Sequence, residues 1–114
     1  MIEKIVLDYL APRIRVPCGF EVPEQPTPPK YVVLERTGSS ERNHLHSISL
    51  AVQCCAVSLF DAAALCERVT QIMAGIIELP RIGHCQLLNA YNHTDPRTKT
   101  YRYQAVFQIY YTEV

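Results

Sequence analysis

The chain has 114 residues and a mass of 13.0 kDa, which suits one domain and is too short for two well-packed cores. Apolar residues make up 48% of the sequence and charged residues 19%, so a disordered chain is excluded. Acidic and basic residues both number 11, and this absence of net charge disfavours a protein that binds nucleic acid through its phosphates. We therefore expect one globular domain over residues 1–114.

The sequence also argues against a membrane or secreted protein. No apolar run approaches the roughly 20 residues that cross a bilayer, and acidic residues interrupt the N-terminal stretch MIEKIVLDYL. We expect no signal peptide and a chain made in the cytosol. The cysteines are five in number, form no CxxC pair, and are expected to be free thiols that pack as small apolar residues.

The first 30 residues divide at a proline. Apolar residues at helical intervals predict a short amphipathic helix over about residues 2–11, which Pro12 ends. Five further prolines follow before residue 30, so at most short strands near residues 14–16 and 20–22 are expected. The segment PEQPTPPK at 23–30 is predicted to be an extended connector.

A first hairpin is predicted from the strand KYVVLERT, the loop GSSERN at 38–43, and the strand HLHSISLAVQCCAVS. In the second strand the inward positions follow a period of two. They are Ile48, Leu50, Val52, Cys54 and Ala56. The polar loop is longer than a tight hairpin needs, so we expect it to be mobile alone and ordered against a neighbour, with Glu41 and Arg42 as rim contacts.

A long helix is predicted over residues 59–78, beginning at a cap formed by Ser58 and Asp61 and closed by Pro80. Its apolar residues recur every three or four positions, so it should pack on one face of the sheet. These residues are Ala62, Leu65, Cys66, Val69, Ile72, Met73 and Ile76. We expect Leu65, Val69, Ile72 and Phe107 to share one core.

The remaining residues predict a second hairpin, GHCQLLNAYN and TKTYRYQAVFQIYYTEV, joined by HTDPR. One face of the last strand carries Tyr101, Tyr103, Ala105, Phe107, Ile109 and Tyr111. About 12 residues at 3.3 Å each span some 40 Å, so part of this hairpin should project beyond the helices. The predicted fold is an α+β two-layer sandwich, a mainly antiparallel sheet of two long hairpins with one long and one short helix on one face.

Catalytic and metal sites find no support in the sequence. The candidate metal ligands are His44, His46, Cys54, Cys55, His84 and Cys85. Tetrahedral zinc needs four converging ligands, and the candidates do not offer that geometry: His44 and His46 could reach one ion from the same strand face, but the adjacent Cys54 and Cys55 point to opposite faces of a strand. Since the sequence also lacks a nucleophile elbow and a phosphate loop, we expect no enzyme, no metal and no cofactor.

Tyrosines are the strongest positive signal. The chain has seven, and four lie in the last strand, at positions 101, 103, 110 and 111. Tyrosine is enriched at protein interfaces, although Tyr101 and Tyr103 could equally cover the core. Arg102, Tyr110 and Tyr111 are therefore the candidate contacts of this strand with an oligomer or partner.

The segments SISLAVQCCAVSLFDAAALCERVTQIM and YRYQAVFQIYY, in this element order, resemble the small tail-terminator, or tail-completion, proteins of long-tailed bacteriophages. These are also called minor tail or minor capsid proteins. The resemblance implies a non-enzymatic virion protein that forms a homo-oligomeric ring of six at the head-proximal end of the tail tube. It implies the tail-tube protein and the head-neck connector proteins as partners, DNA that passes through the lumen without specific binding, no membrane, and assembly in the host cytoplasm.

Two other classes stay open from the residues alone. A two-layer sheet with an open face is adequate for an α+β module that binds a small molecule or peptide. A small enzyme that uses a cysteine or histidine in a pocket is the third class, because catalytic groups meet in space and not in sequence.

Overall fold

A computed structural model describes residues 1–97 and 100–112. The elements in chain order are α1 (Ile2–Ile14), β1 (Cys18–Gly19), β2 (Tyr31–Arg42), β3 (Leu45–Ala56), α2 (Leu59–Met73), a 3₁₀ turn (Ile76–Glu78), β4 (Ile82–Asn92) and β5 (Tyr101–Thr112). The predicted α+β two-layer sandwich is confirmed, since both helices pack on one face of a five-stranded, mostly antiparallel sheet. Four residues of the predicted last strand, Thr98, Lys99, Glu113 and Val114, lie outside the described residues. None of the described helices is long and apolar enough to cross a bilayer.

The sheet has the order β1-β2-β3-β5-β4. Both predicted hairpins form, and they join through antiparallel pairing of β3 with β5. β1 runs parallel to β2 and pairs with it only at Val32 and Val33. The four long strands therefore alternate in direction across the sheet, with β4 at one edge and β2, capped by the short β1, at the other.

The predicted inward faces form the core, except that Tyr101 at the start of β5 is 38% exposed. Ile48, Leu50 and Val52 of β3 are fully buried with Ala105 and Ile109 of β5. The helices contribute a second layer to the same cluster, which includes Leu65, Val69 and Phe107, and Ile72 packs against its margin. The expectation that these last four residues share one core is confirmed.

α1 continues past Pro12 to Ile14, so the predicted end at residue 11 is wrong. Pro12 lies in the last turn, where its missing N–H costs only one intrahelical hydrogen bond. Ile14 is fully buried, and its packing holds this turn against the core. The Arg13 guanidinium donates to the Tyr9 carbonyl at 2.9 Å, and the helix ends at Arg15, whose φ of 60° is left-handed.

The strands expected near residues 14–16 and 20–22 are replaced by a single two-residue strand at Cys18–Gly19. Ile14 belongs to α1, which shifts the start of the extended chain toward the C-terminus. Pairing with β2 begins where Val32 donates its N–H to the Pro17 carbonyl at 2.9 Å. Prolines on both sides, at 17 and 23, keep this strand short.

The predicted GSSERN loop is also wrong, because Gly38 to Arg42 belong to β2. The turn is confined to Asn43 and His44, whose φ values of 51° and 67° are both left-handed, as a tight two-residue hairpin requires. The Ser40 and Ser47 hydroxyls lie 2.6 Å apart across the two strands. Every β2 residue from 35 to 42 is exposed, whereas the paired β3 is buried or half-buried from His46 onward, so this part of β2 is an exposed edge beside a covered strand.

α2 begins as predicted, with the Ser58 hydroxyl accepting the Asp61 N–H at 3.1 Å. It ends at Met73 and not at residue 78, and the chain continues into the 3₁₀ turn. The break coincides with Gly75, where a Cβ would lie 2.8 Å from the Tyr9 hydroxyl of α1. The turn keeps Ile76 fully buried, so the predicted apolar stripe survives the end of the helix.

Candidate assembly interface

Two of the predicted contact residues lie in one row across the tip of the sheet. Glu41 of β2 is level with His46 of β3, which is level with Tyr111 of β5. The His46 and Tyr111 rings stack with centroids 5.2 Å apart, and the Glu41 carboxylate lies 3.9 Å from His46 Nδ1. Tyr111 is 8% exposed, so its ring belongs mainly to the core and Glu41 presents the accessible charge of this row.

Arg42 and Tyr110 lie at the same end of the sheet, on the face opposite the helices. Arg42 is exposed and pairs with Leu45 at the hairpin tip. Tyr110 is half-buried beside His84 of β4, with ring centroids 5.8 Å apart. The tip therefore brings together four of the five predicted contact residues, divided between the two faces.

Arg102 lies at the other end of β5. It lies nine positions from Tyr111, about 30 Å along an extended strand. Its side-chain Nε donates to the His93 carbonyl at 3.0 Å, so this arginine braces the turn between β4 and β5. The structure does not unite Arg102 with the other candidates in a single contact surface.

The sheet face opposite the helices carries, besides charged residues such as Glu35 and Arg42, several uncharged polar side chains that are bonded to one another across strands. Ser49 donates to Gln108 at 3.0 Å. Gln53 donates to Gln104 at 3.1 Å, and Gln104 in turn donates to the Tyr91 hydroxyl at 2.6 Å. We call this the open face; it presents hydrogen-bonding groups, and Gln104 is 9% exposed despite lying on it.

The position of β4 at the edge of the sheet was not predicted from the sequence. β4 contains no Asp, Glu, Lys or Arg, and Leu87 and Leu88 are 39% and 51% exposed. Two register irregularities, near Gly83 and Leu88, interrupt its pairing with β5. The consecutive leucines, which break the apolar–polar alternation, were the available signal.

A groove of about 360 Å³ lies between β4 and α2 on the helical face. It is lined by Ala63, Cys66, Glu67, Thr70, Gln71, Ala90 and Tyr103. A smaller cavity of about 100 Å³ is lined by neighbouring residues of the same two elements, including Leu87. Together they show that α2 leaves the β4 side of the sheet partly uncovered.

Burial shifts the pKa of most of the thiols upward. It raises the pKa of Cys18 and of Cys85 to about 11. The neighbouring Cys54 and Cys66 thiols act on each other in opposite directions, so the pKa of Cys54 is raised and that of Cys66 is lowered. Burial also raises the pKa of Cys55. Within residues 1–97 and 100–112, no three His, Cys, Asp or Glu side chains are grouped so that they could hold a metal ion.

The fold is similar to that of a chain in a solved structure described as the virion of a native gene transfer agent particle. The two share 14% sequence identity with a TM-score of 0.58, and the match covers 91% of this chain and 84% of the other. At this identity the match establishes a shared fold over nearly the whole of both chains. No protein-family model and no curated protein matches the sequence.

Proposed function

We propose that this protein is a structural component of a phage-type virion, and specifically a tail terminator that forms a ring and closes the tail tube. The observation that carries the proposal is the fold match to a gene transfer agent virion chain, which spans 91% of this protein. The sequence resemblance to tail terminators supports the same role independently, because it rests on residues 47–73 and 101–111.

The surfaces suit assembly better than catalysis. Two long strand edges, an uncharged β4 and an exposed hairpin tip offer backbone and side-chain groups to a second chain. A ring needs two different contact surfaces on each subunit, and opposite edges of one sheet supply them. The partners in this proposal are further copies of the chain, six in the ring, together with the tail-tube protein and the head-neck connector.

The charge distribution fits a ring through which DNA passes. The chain has no net charge, and the open face carries serine and glutamine side chains bonded to one another beside charges of both signs, such as Glu35 and Arg42. A lumen of this kind would hold no phosphate tightly, since affinity for DNA depends on neutralisation by Lys and Arg. In this proposal the protein is found in the virion, at the head-proximal end of the tail.

The test is electron microscopy of particles produced without this protein. A terminator that is missing leaves tubes that vary in length and lack attached heads. Tubes of normal, uniform length ending in heads would refute the terminator role. The matched control is the same deletion complemented by the wild-type chain, which should restore both length and head attachment.

A binding module for a small molecule or peptide is the second candidate, and the α2–β4 groove is the observation that favours it. A ligand there would contact Ala90 and Tyr103. Ala90→Leu would fill the groove and abolish binding in a fragment screen by NMR. Chemical-shift changes that stay outside the groove would remove this candidate.

A further inference from the structure

The two long edges of the sheet differ in how well they are protected. Among residues 1–97 and 100–112, β4 pairs with β5 alone, and β2 beyond Val33 pairs with β3 alone. The exposed half of β2 carries Glu35, Arg36, Glu41 and Arg42, the charged residues that discourage unplanned pairing. β4 carries no such charge over 11 residues. Its exposed leucines and uncharged edge are features of a strand that meets another chain.

We propose that the outer edge of β4 in one copy pairs antiparallel with the outer edge of β2 in the next copy, over residues 82–90 and 34–41. The sheets of neighbouring copies then form one continuous sheet around the ring. The inference rests on the proposed function, because this pairing would be the contact between subunits of the proposed ring.

Strand direction supports a head-to-tail contact. The four long strands alternate strictly, so β2 and β4 at the two edges run in opposite directions. A second copy, rotated about an axis roughly parallel to the strands, therefore presents β2 antiparallel to β4 without being inverted. Antiparallel pairs are the more stable kind, and head-to-tail contacts close into a ring.

The unpaired lengths of the two edges also match. Rows across the sheet connect Ile82 to Glu41 at one end and Ala90 to Leu34 at the other, through β5 and β3. One row further on, beyond Leu34, β1 occupies the edge of β2. Residues 82–90 therefore face the part of the neighbouring β2 that β1 leaves available.

The outward-pointing backbone N–H and C=O groups of the two edges lie at matching positions. Val32 donates its N–H outward to Pro17, so the alternation of a strand also turns the backbone groups of Leu34 outward. His93 donates its N–H inward to β5, and the same alternation turns the groups of Ala90 outward. Ala90 and Leu34 share a row, so their outward groups meet when the copies lie level.

The side chains brought together are compatible. Asn89 lies in the row of Glu35 on the open face, where its amide can donate to the carboxylate of the next copy. Leu87 lies in the row of Arg36, whose aliphatic stem would cover its exposed surface. Since β4 carries no charge, the pairing places no like charges opposite each other.

The groove beside β4 fits the same arrangement. α1 packs next to β1 and β2 on the helical face, and Glu3 of α1 forms an ion pair with Arg36 of β2. A neighbour whose β2 joins β4 therefore brings its own α1 above the groove between α2 and β4. The helices of the neighbouring copy would therefore cover the space that α2 leaves open.

The experiment uses opposite charges at one exposed position. Asn89→Asp places a carboxylate opposite Glu35 and should raise the concentration of half-assembly about threefold, whereas Asn89→Lys should lower it by a similar factor. The double variant Asn89→Asp, Glu35→Lys should return it to the wild-type value. Analytical ultracentrifugation over a concentration series measures all four proteins, and circular dichroism checks that each is folded.

Ala90→Pro gives a second, independent perturbation. It removes an outward N–H and leaves the bonds to β5 in place, so the chain should fold and the half-assembly concentration should rise about tenfold. Assembly that is insensitive to every variant, or a wild-type chain that stays monomeric at all concentrations, overturns the pairing. Self-assembly that responds to the charge variants, together with tails of normal length in particles made without this protein, would instead support the pairing of β4 with β2 and refute the terminator role.

Discussion

Val69 provides the sharpest test of how the helix layer is held on the sheet. It is fully buried on α2, in the cluster that also contains Phe107 of β5. Val69→Ala removes two methyl groups, which costs about 1.6 kcal/mol at the transfer value of about 0.8 kcal/mol per group. The cavity that stays open adds about 1 kcal/mol, because the packed surroundings relax only in part.

We therefore expect Val69→Ala to lower the free energy of unfolding by about 2.5 kcal/mol, or the melting temperature by about 10 °C. Urea unfolding of dilute protein measures this without a contribution from assembly. Gln71→Ala is the matched control, since Gln71 is exposed on the same helix and should change stability by less than about 0.5 kcal/mol. Val69→Asp should be worse than either, because it buries an unpaired charge.

Equal effects of Val69→Ala and Gln71→Ala would refute the reasoning, because they would mean that the apolar stripe of α2 does not face the sheet. A large effect of Gln71→Ala alone would mean that the helix is rotated about its axis. The two positions lie about 200° apart on a helix, so the comparison distinguishes these orientations directly.

Four further outcomes are expected. Ser58→Ala should lower stability by about 1 kcal/mol through loss of the helix cap, and Ser58→Asp should preserve it, as measured by urea unfolding. Gly75→Ala should cost about 1 to 3 kcal/mol through its clash with the Tyr9 hydroxyl, and adding Tyr9→Phe should recover most of the loss in the same assay. His44→Gly should raise the melting temperature by a few degrees, because it relieves a left-handed φ of 67°. The pKa of Cys85 is about 11 in the folded chain and near 9 in the unfolded chain, so the free energy of unfolding should be highest below pH 9 and should fall between pH 9 and 11. Cys85→Ser should remove that part of the pH dependence of unfolding.

The sequence predicted those features that repeat over many residues. The alternation of β3 and β5 and the apolar stripe of α2 each extend over a dozen residues or more, so local exceptions could not obscure them. The ends of elements were less accessible. Pro12 was expected to stop α1, but the burial of Ile14 stabilises one more turn. α2 ends early, next to Gly75, which lies against Tyr9 although the two residues are 66 positions apart in sequence.

For the same reason the sequence could not show which of the candidate contact residues lie close together. Glu41 and Arg42 do lie at an exposed hairpin tip, but Arg102 lies at the opposite end of β5. Strand order decides which residues become neighbours, and it depends on the pairing of β3 with β5, whose partners are 45 to 67 positions apart in sequence. No local pattern reveals that β4, and not β5, occupies the edge.

The loop predicted in place of the end of β2 and the unpredicted edge position of β4 have a common physical origin. The polar segment GSSER resembles a loop because glycine, serine and charged residues also protect an exposed strand edge. β4, with its two leucines, has the composition of an interior strand although it lies at an edge. In the arrangement we propose, another strand covers this edge. The charged edge of β2, which meets β4 without a like-charge contact, is the surface of this same chain that can do so.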